Sequence, residues 1–468
     1  MSTARRFATL ASPEPPTGQR VLFRRAVVLG GSIAGLMAAR VLSDHADQVV
    51  IVERDDLAAL DVSDAEIAAD PVGAVGPRPG VPQGSQLHAL LPAGRQQLDR
   101  WFPGFVDAAL AAGAVTPPSG HERIYMDGKR SLTSRDLSAG RSLVSSRPFL
   151  EALVRHRVLA LPNVRVITGV VDGLTIEGGA VTAVRHDDGV EPADFVVDAT
   201  GRSSRLGNWV AEAGFPKPPM QRMAIQLNYA TAQFRRPPDP EVWTLISFAT
   251  PAPGRRARIG GFTPIEGDRW TMLISGYADD RPSRDVDDYR RRCTEDFPAE
   301  VGQVAGSAER LSEVITYHQA DSRRRDFHKV DRFPARLVAA GDAIASFNPI
   351  YGQGMTAAML HASCLSEYLR SDPDLSCPAR SYFADAKIVV DAAWQVSAMP
   401  DLALPHVNGP YPPGYRARRW ASRLMFKASR TDAELSRALS RVTMMLAHPS
   451  SLTSPRVLLR AIAAGVRG

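Results

Sequence analysis

The sequence predicts an α/β protein with a parallel-sheet domain, an antiparallel sheet set into it and a helical C-terminal region. Three observations carry this. A strand, a glycine-rich turn, a helix and a second strand follow one another over residues 24–55. Two later apolar strands, near residues 195 and 337, each lead into an acid beside a glycine. Between them, residues 216–330 change to short alternating strands.

The composition bounds the class. The protein has 468 residues, 44% hydrophobic and 23% charged, which fits a folded globular protein and excludes a disordered one. At roughly 150 residues per domain the length predicts about three domains, or two large ones. The net charge of +6 is a small excess, 56 basic against 50 acidic residues, and nearly all of it is arginine. No basic run is interleaved with aromatics, so nucleic acid is not an expected partner. Cys293, Cys364 and Cys377 form no CxxC pair, which argues against a zinc site or disulfide framework and fits a reducing cytoplasm. No uncharged stretch reaches the ~20 residues of a membrane-spanning helix. Arg5-Arg6 is followed by Pro13, Glu14, Pro15 and Pro16 rather than an apolar run, so residues 1–24 read as a flexible tail.

The first motif is RRAVVLGGSIAGLMAARVLSDHADQVVIVERD, residues 24–55. Its logic is that of a Rossmann-like dinucleotide turn. Gly30 permits the sharp bend, a small residue at Ser32 lets backbone approach a pyrophosphate, and Gly35 lets helix and strand pack closely. The helix N-terminus offers N–H groups and positive dipole to phosphate. Glu53, followed by Arg54, stands where an acid accepts hydrogen bonds from ribose hydroxyls. Ser32 replaces the usual middle glycine. Gly30-x-Ser32 also resembles the start of a GxSxG nucleophile elbow, but Ala34 holds the fifth position.

The second motif is Asp198-Ala199-Thr200-Gly201 after an apolar strand. The third is RLVAAGDAIASFNPIYGQGMTAAM, residues 336–359, with Asp342 at a strand end and Pro349, Gly352, Gln353, Gly354 and Met355 opening a helix. A strand-end aspartate can bind sugar or ribityl hydroxyls, and a glycine-rich helix start can stabilise negative charge. Reduced flavin carries such charge on its N1–C2=O edge.

With these three motifs in this order, the sequence resembles the FAD-dependent monooxygenases of the aromatic-hydroxylase superfamily. It resembles more closely the bacterial polyether epoxidases of the monensin and lasalocid type. RPGVPQGSQLHALLPAG (residues 78–94), SSRPFLE (145–151) and GDAIASFNPIYGQGM (341–355) carry that likeness. The resemblance implies a Rossmann-like FAD-binding domain, an antiparallel-sheet substrate domain and FAD as cofactor. It implies that Gly30, Ser32 and Gly35 hold the pyrophosphate and Glu53 the adenosine ribose, with Arg54 beside it. Arg147, opening a helix, would lie near pyrophosphate or flavin, and Val171 near adenine. Asp198 and Gly201 would line the cofactor, and Asp342 would bind ribityl or pyrophosphate-side hydroxyls. Pro349, Gly352, Gln353, Gly354 and Met355 would line the isoalloxazine. Those epoxidases tend to have Arg and His where Ser85 and Gln86 stand, while Gln83 and His88 remain. His88 reads as a core or supporting histidine.

The implied domains are 25–215 and 331–380 for FAD, 216–330 for substrate and 381–468 as the helical C-terminal region. Residues 56–84 read as a loop insertion, 86–112 as an amphipathic helix, and Met223 to Tyr229 as one half-exposed strand whose Gln226 and Asn228 face either substrate or solvent. A Pro-rich break spans residues 405–413, and residues 454–468 form a basic amphipathic tail that packs on the body rather than on a membrane.

The implied reaction is epoxidation of a hydrophobic polyketide or terpenoid alkene by a flavin C4a-hydroperoxide formed from O2. NAD(P)H or a partner flavin reductase would supply electrons. The sequence shows no acid–base pair, which an epoxidase does not need and a phenol hydroxylase would use. Aromatic hydroxylation and reduction of C=C bonds by a geranylgeranyl-reductase type of enzyme stay open as alternatives, as does flavin binding without turnover. A flavin halogenase is disfavoured: Trp243 has no WxWxIP partner and no lysine precedes Lys129.

Overall fold

The computed structural model describes residues 1–131 and 142–467. Its centre is a five-stranded parallel sheet ordered Leu337–Ala339, Phe195–Asp198, Phe23–Leu29, Ala46–Glu53, Val164–Thr168. These strands are apolar runs because both of their faces are covered, as parallel sheets require. The residues from Ala26 to Leu29 and from Val49 to Val52 are all at most 1% exposed. Helices Ile33–Leu42, Arg147–Leu159 and Gln353–Arg370 pack on this unit and share its core. A small antiparallel sheet, Val171–Glu177, Ala180–His186 and Gly189–Pro192, stands at its edge.

The second unit is a seven-stranded sheet ordered Ile315–Gln319, Leu227–Arg235, Arg269–Tyr277, Arg258–Ile265, Thr244–Ala249, Glu122–Met126, Lys129–Arg130. Pairing fixes its faces. Ala230, Ala232 and Phe234 lie opposite Ile274, Met272 and Trp270 on a face covered by helices Val286–Glu295 and Ala299–Ser307. Tyr229, Thr231 and Gln233, opposite Ser275, Leu273 and Thr271, lie on the other face, which turns toward the FAD-type unit.

Several expectations are corrected. Residues 1–24 are not simply a flexible tail: Thr3–Leu10 is a helix capped by Ser2, with Phe7 and Leu10 fully buried. The side chain of Arg6 bridges Asp385 and Glu367. The prolines that follow end the helix rather than preclude it. Residues 86–112 do not form one helix. Pro92 sets the first turn of Pro92–Trp101, and Gly104, at φ +79°, separates it from Phe105–Ala111. Residues 122–130 pair with the antiparallel sheet although they lie within the span assigned to the parallel one. The strand expected from Met223 to Tyr229 is broken by Gln226, whose φ is +47°. Met220–Met223 pairs instead with Ser322–Arg325.

The C-terminal region is helical, with Arg380–Asp401, Tyr415–Ser429, Ala433–Thr443 and Pro455–Arg467 flanking the Pro-rich break. The last helix buries Ala461 against Met425, Ala428 and Leu435 while Leu459 and Ile462 stay exposed. Among the described residues no helix is long and apolar enough to cross a membrane.

Candidate flavin site

The first glycine turn is set by close approach. Gly30 has φ +94°, and a Cβ there would lie 2.7 Å from the Ala199 carbonyl oxygen. A Cβ on Gly35 would lie 1.8 Å from the Gly30 oxygen. The Asp198–Gly201 segment is therefore packed directly on the first turn. The Asp198 carboxylate is fully buried and accepts from Thr200 N (2.9 Å), Thr200 Oγ1 (2.6 Å) and Ser204 Oγ (2.5 Å). It holds its own turn, which ends in Gly201 at φ +76°.

Ser32 occupies the N-cap of Ile33–Leu42 but makes no side-chain cap. Its hydroxyl instead donates to Glu151 Oε2 at 2.9 Å and accepts from Arg147 Nη2 at 2.7 Å. The N–H groups of that first helical turn are left without a side-chain acceptor, as an anion site needs. Arg147 also pairs with Glu151 at 2.6 Å. Arg78 completes the cluster, bonding Glu151 (2.7 Å), Asp55 (2.6 Å) and the Gly31 carbonyl (3.2 Å) and lying 3.4 Å from Glu53. Burial would raise the Glu151 carboxyl, but the charges of Arg147 and Arg78, with their hydrogen bonds, hold it below the usual carboxylate range. Glu53 accepts from Gly31 N at 2.6 Å, so its carboxylate ties the second strand to the turn. Arg54 is exposed and reaches the Pro79 carbonyl. Val171 is half-buried at the edge of the small sheet. Arg78 and Glu151 join this cluster although the sequence reading left both without a role, and both lie in stretches that carry the family likeness. Their signal is one of charge, two opposite-sign residues in motif stretches flanking a phosphate-type turn.

The late loop meets the same turn. Gly341, at φ +60°, packs so closely that a Cβ would lie 2.6 Å from Ala34 Cβ. Asp342 follows, facing Ser346, Arg202, Arg147 and Arg325; burial raises its carboxyl, and these four groups oppose the rise. Pro349–Tyr351 forms a 3-10 turn, and Gly352, at φ +68°, opens helix Gln353–Arg370 with no side-chain cap. Gln353 is fully buried, yet neither Oε1 nor Nε2 has a partner among the described residues. A Cβ on Gly354 would meet nothing within 4 Å, and Met355 packs half-buried on the core. An orphaned amide beside an open glycine and two uncapped helix starts fits a planar, polar-edged cofactor such as FAD.

Asn228 and Gln226 do not join this arrangement. Asn228 shares the sheet face of Ala230 and Ala232 and bonds His318 at 2.9 Å, because the bend at Gln226 fixes the parity of the strand after it. The face that meets the flavin-type unit carries Leu227, Tyr229, Leu273 and Tyr277, grouped with Ile350 of the late loop. Behind that loop Asn348 donates to buried Asp401 at 2.8 Å, and burial pushes the Asp401 carboxyl up to about 7 against the hydrogen bonds from Asn348 and Tyr351.

Residues 105–371 match the family model described as FAD binding domain. The protein belongs to the FAD-binding-domain family. It is 30% identical over 467 residues to Protein Rv3254 of Mycobacterium tuberculosis (strain ATCC 25618 / H37Rv), with 94% of each covered. Its fold is shared with the flavin-dependent brominase Bmp2 at TM-score 0.66 and 15% identity, over 95% of this protein and 99% of that one. It is also shared with PqsL, a probable FAD-dependent monooxygenase from Pseudomonas aeruginosa. That match has TM-score 0.57 and 19% identity, over 81% of this protein and 97% of that one. These structural likenesses carry the fold of the FAD-binding-domain protein; its chemistry rests on the site.

Proposed function

We propose that this FAD-dependent monooxygenase transfers one oxygen atom to an electron-rich C=C bond of a hydrophobic natural-product intermediate, a polyketide or terpenoid alkene, giving an epoxide. The observation that carries the reading is the apolar packing of Leu227, Tyr229, Leu273 and Tyr277 with Ala398, Leu402 and Leu404, bordered by Ile350 of the late loop. Such packing excludes water beside the reacting carbon.

In this reading Gly30, Ser32, Gly35 and Arg147 hold the pyrophosphate, Glu53 stands by the adenosine ribose, and Asp342 binds ribityl hydroxyls. The helix start at Gly352 to Met355 would offer backbone N–H groups, and Gln353 its amide, to the electron-rich edge of the ring. FAD, reduced by NAD(P)H or by a partner flavin reductase, supplies the activation of O2. The protein binds, orients and keeps the site dry. A second reading, hydroxylation of a phenolic ring, is favoured by the polar cavity that Gln86, His88 and Gln233 line beside the cofactor cluster.

The test is turnover of reduced, FAD-loaded protein under 18O2 with matched panels of alkenes and phenols. One labelled oxygen in an epoxide supports the first reading and one in a ring hydroxyl the second. Saturation of the C=C bond without oxygen uptake overturns both in favour of a reductase.

A further inference from the structure

A cavity of about 200 Å³ lies between the loop insertion and the flavin-facing side of the large sheet. The loop contributes Val72 and Val75, the segment just after it Ser85, Gln86 and His88, and the sheet Gln233 and Thr271. Ser146 and Pro148, on either side of Arg147, form its third wall, so it adjoins the cofactor cluster. Its lining is polar for a site expected to take a hydrocarbon.

The imidazole of His88 is fixed in one tautomer. Its Nδ1 lies 2.9 Å from the Gln86 carbonyl oxygen, which can only accept, so Nδ1 carries the proton. Burial, reinforced by the Arg147 charge, pushes the imidazole down to about 4; the Gln86 bond and Glu151 act in the opposite sense. The ring is neutral at pH 7, and Nε2 is a bare acceptor with no partner among the described residues. The loop that presents it is pinned to the sheet, since buried Thr231 donates to Gln86 Oε1 at 2.6 Å. The other charged groups at the cavity are already engaged: Glu266 accepts from Ser146 N at 2.8 Å and pairs with Arg269 at 3.0 Å.

We propose that this cavity recognises a hydroxyl group of the substrate, and that His88 Nε2 accepts its O–H. The inference rests on the oxygen-transfer reading and narrows it. The substrate carries a hydroxyl group, which stays protonated when bound. An imidazole of such low basicity orients that hydroxyl; it does not remove its proton in the resting complex.

The test is isothermal titration of the FAD-loaded protein with 4-nitrophenol across pH, with 4-nitroanisole as the ligand lacking the O–H. The wild type is expected to bind the neutral phenol, about tenfold more weakly per pH unit above the phenol's own pKa. The anisole and the His88→Phe variant should each lose roughly 10–100-fold in affinity, while His88→Gln, which keeps an amide acceptor, stays within a few-fold. FAD content, read from the flavin absorbance of the same samples, should be unchanged. If His88→Phe binds the phenol as the wild type does, if affinity rises as the phenol ionises, or if the wild type does not discriminate phenol from anisole, the proposal is overturned. If the wild type holds no FAD, the oxygen-transfer reading fails instead, and the phenol titration still judges His88.

Discussion

The parallel-sheet half and the antiparallel half of this molecule specify their surfaces by different means. Around the glycine turns, backbone meets backbone or a neighbour's Cβ. Gly30 abuts Ala199, Gly35 abuts Gly30, and Gly341 abuts Ala34, each at distances a side chain would close. Charge then settles on that frame as the Arg78–Glu151–Arg147 cluster. The antiparallel half has such contacts too, Gly261 on the Leu245 carbonyl and Gly276 on the Asp280 carbonyl, but they lie within its own sheet and turn. Which residues face the flavin unit depends on strand parity, and one left-handed residue, Gln226, decides it. The first half is a fixed cradle and the second an adjustable wall, which suits a scaffold that keeps one cofactor while its substrate varies.

The contrast can be broken most severely in the cradle. Arg78→Met removes the guanidinium from Glu151, Asp55 and the Gly31 carbonyl while leaving the carboxylates buried. A loss of about 3–5 kcal/mol is expected in urea unfolding, well above that of a surface arginine. A change below about 1 kcal/mol would show that Arg147 alone satisfies Glu151.

The next largest effect lies where the halves meet. The folded Asp401 carboxyl, at about 7, is above its unfolded value of 3.8. Its contribution is complete below pH 4 and is lost as pH rises through 7, at most about 4 kcal/mol in all. Asp401→Asn should flatten that slope and raise the melting temperature above wild type at pH 8, while lying close to it at pH 4. An unaltered slope would assign it to other groups.

The smallest effect is in the wall. Gln86→Leu leaves the Thr231 hydroxyl buried without its acceptor and should cost about 1–3 kcal/mol. It should weaken 4-nitrophenol binding without changing FAD affinity. Equal losses of both would merge the two halves into one cooperative site.

This division also explains what could be read from the sequence. Glycine spacing, strand-end acids and the helix start at Gly352 are local, so the FAD unit and the βαβ turn were legible from residue order. Arg147 was legible as a helix opener and its partner Glu151 lies one turn on, but Arg78, the second cation on Glu151, comes from a segment about 70 residues away. The side taken by Asn228 stayed open because alternation runs through Gln226 in the sequence, where the backbone bends. The N-terminal helix was hidden because Phe7 and Leu10 gain their value only against Arg380–Asp401 and its neighbours. His88 was legible only as a supporting histidine, since residue order does not show that Nδ1 turns back onto the Gln86 carbonyl.

The central claim is that the glycine cradle, independently of the sheet wall, holds FAD. It is tested most directly by equilibrium titration of flavin-stripped protein with FAD, followed by fluorescence quenching. Wild type and Gln233→Leu are compared with Gly30→Val, each checked for native circular dichroism. The account expects one FAD per protein molecule in the first two, with similar affinity, and a loss of at least about 100-fold in Gly30→Val, whose side chain would meet the Ala199 carbonyl. Undiminished FAD binding by a folded Gly30→Val protein would contradict it.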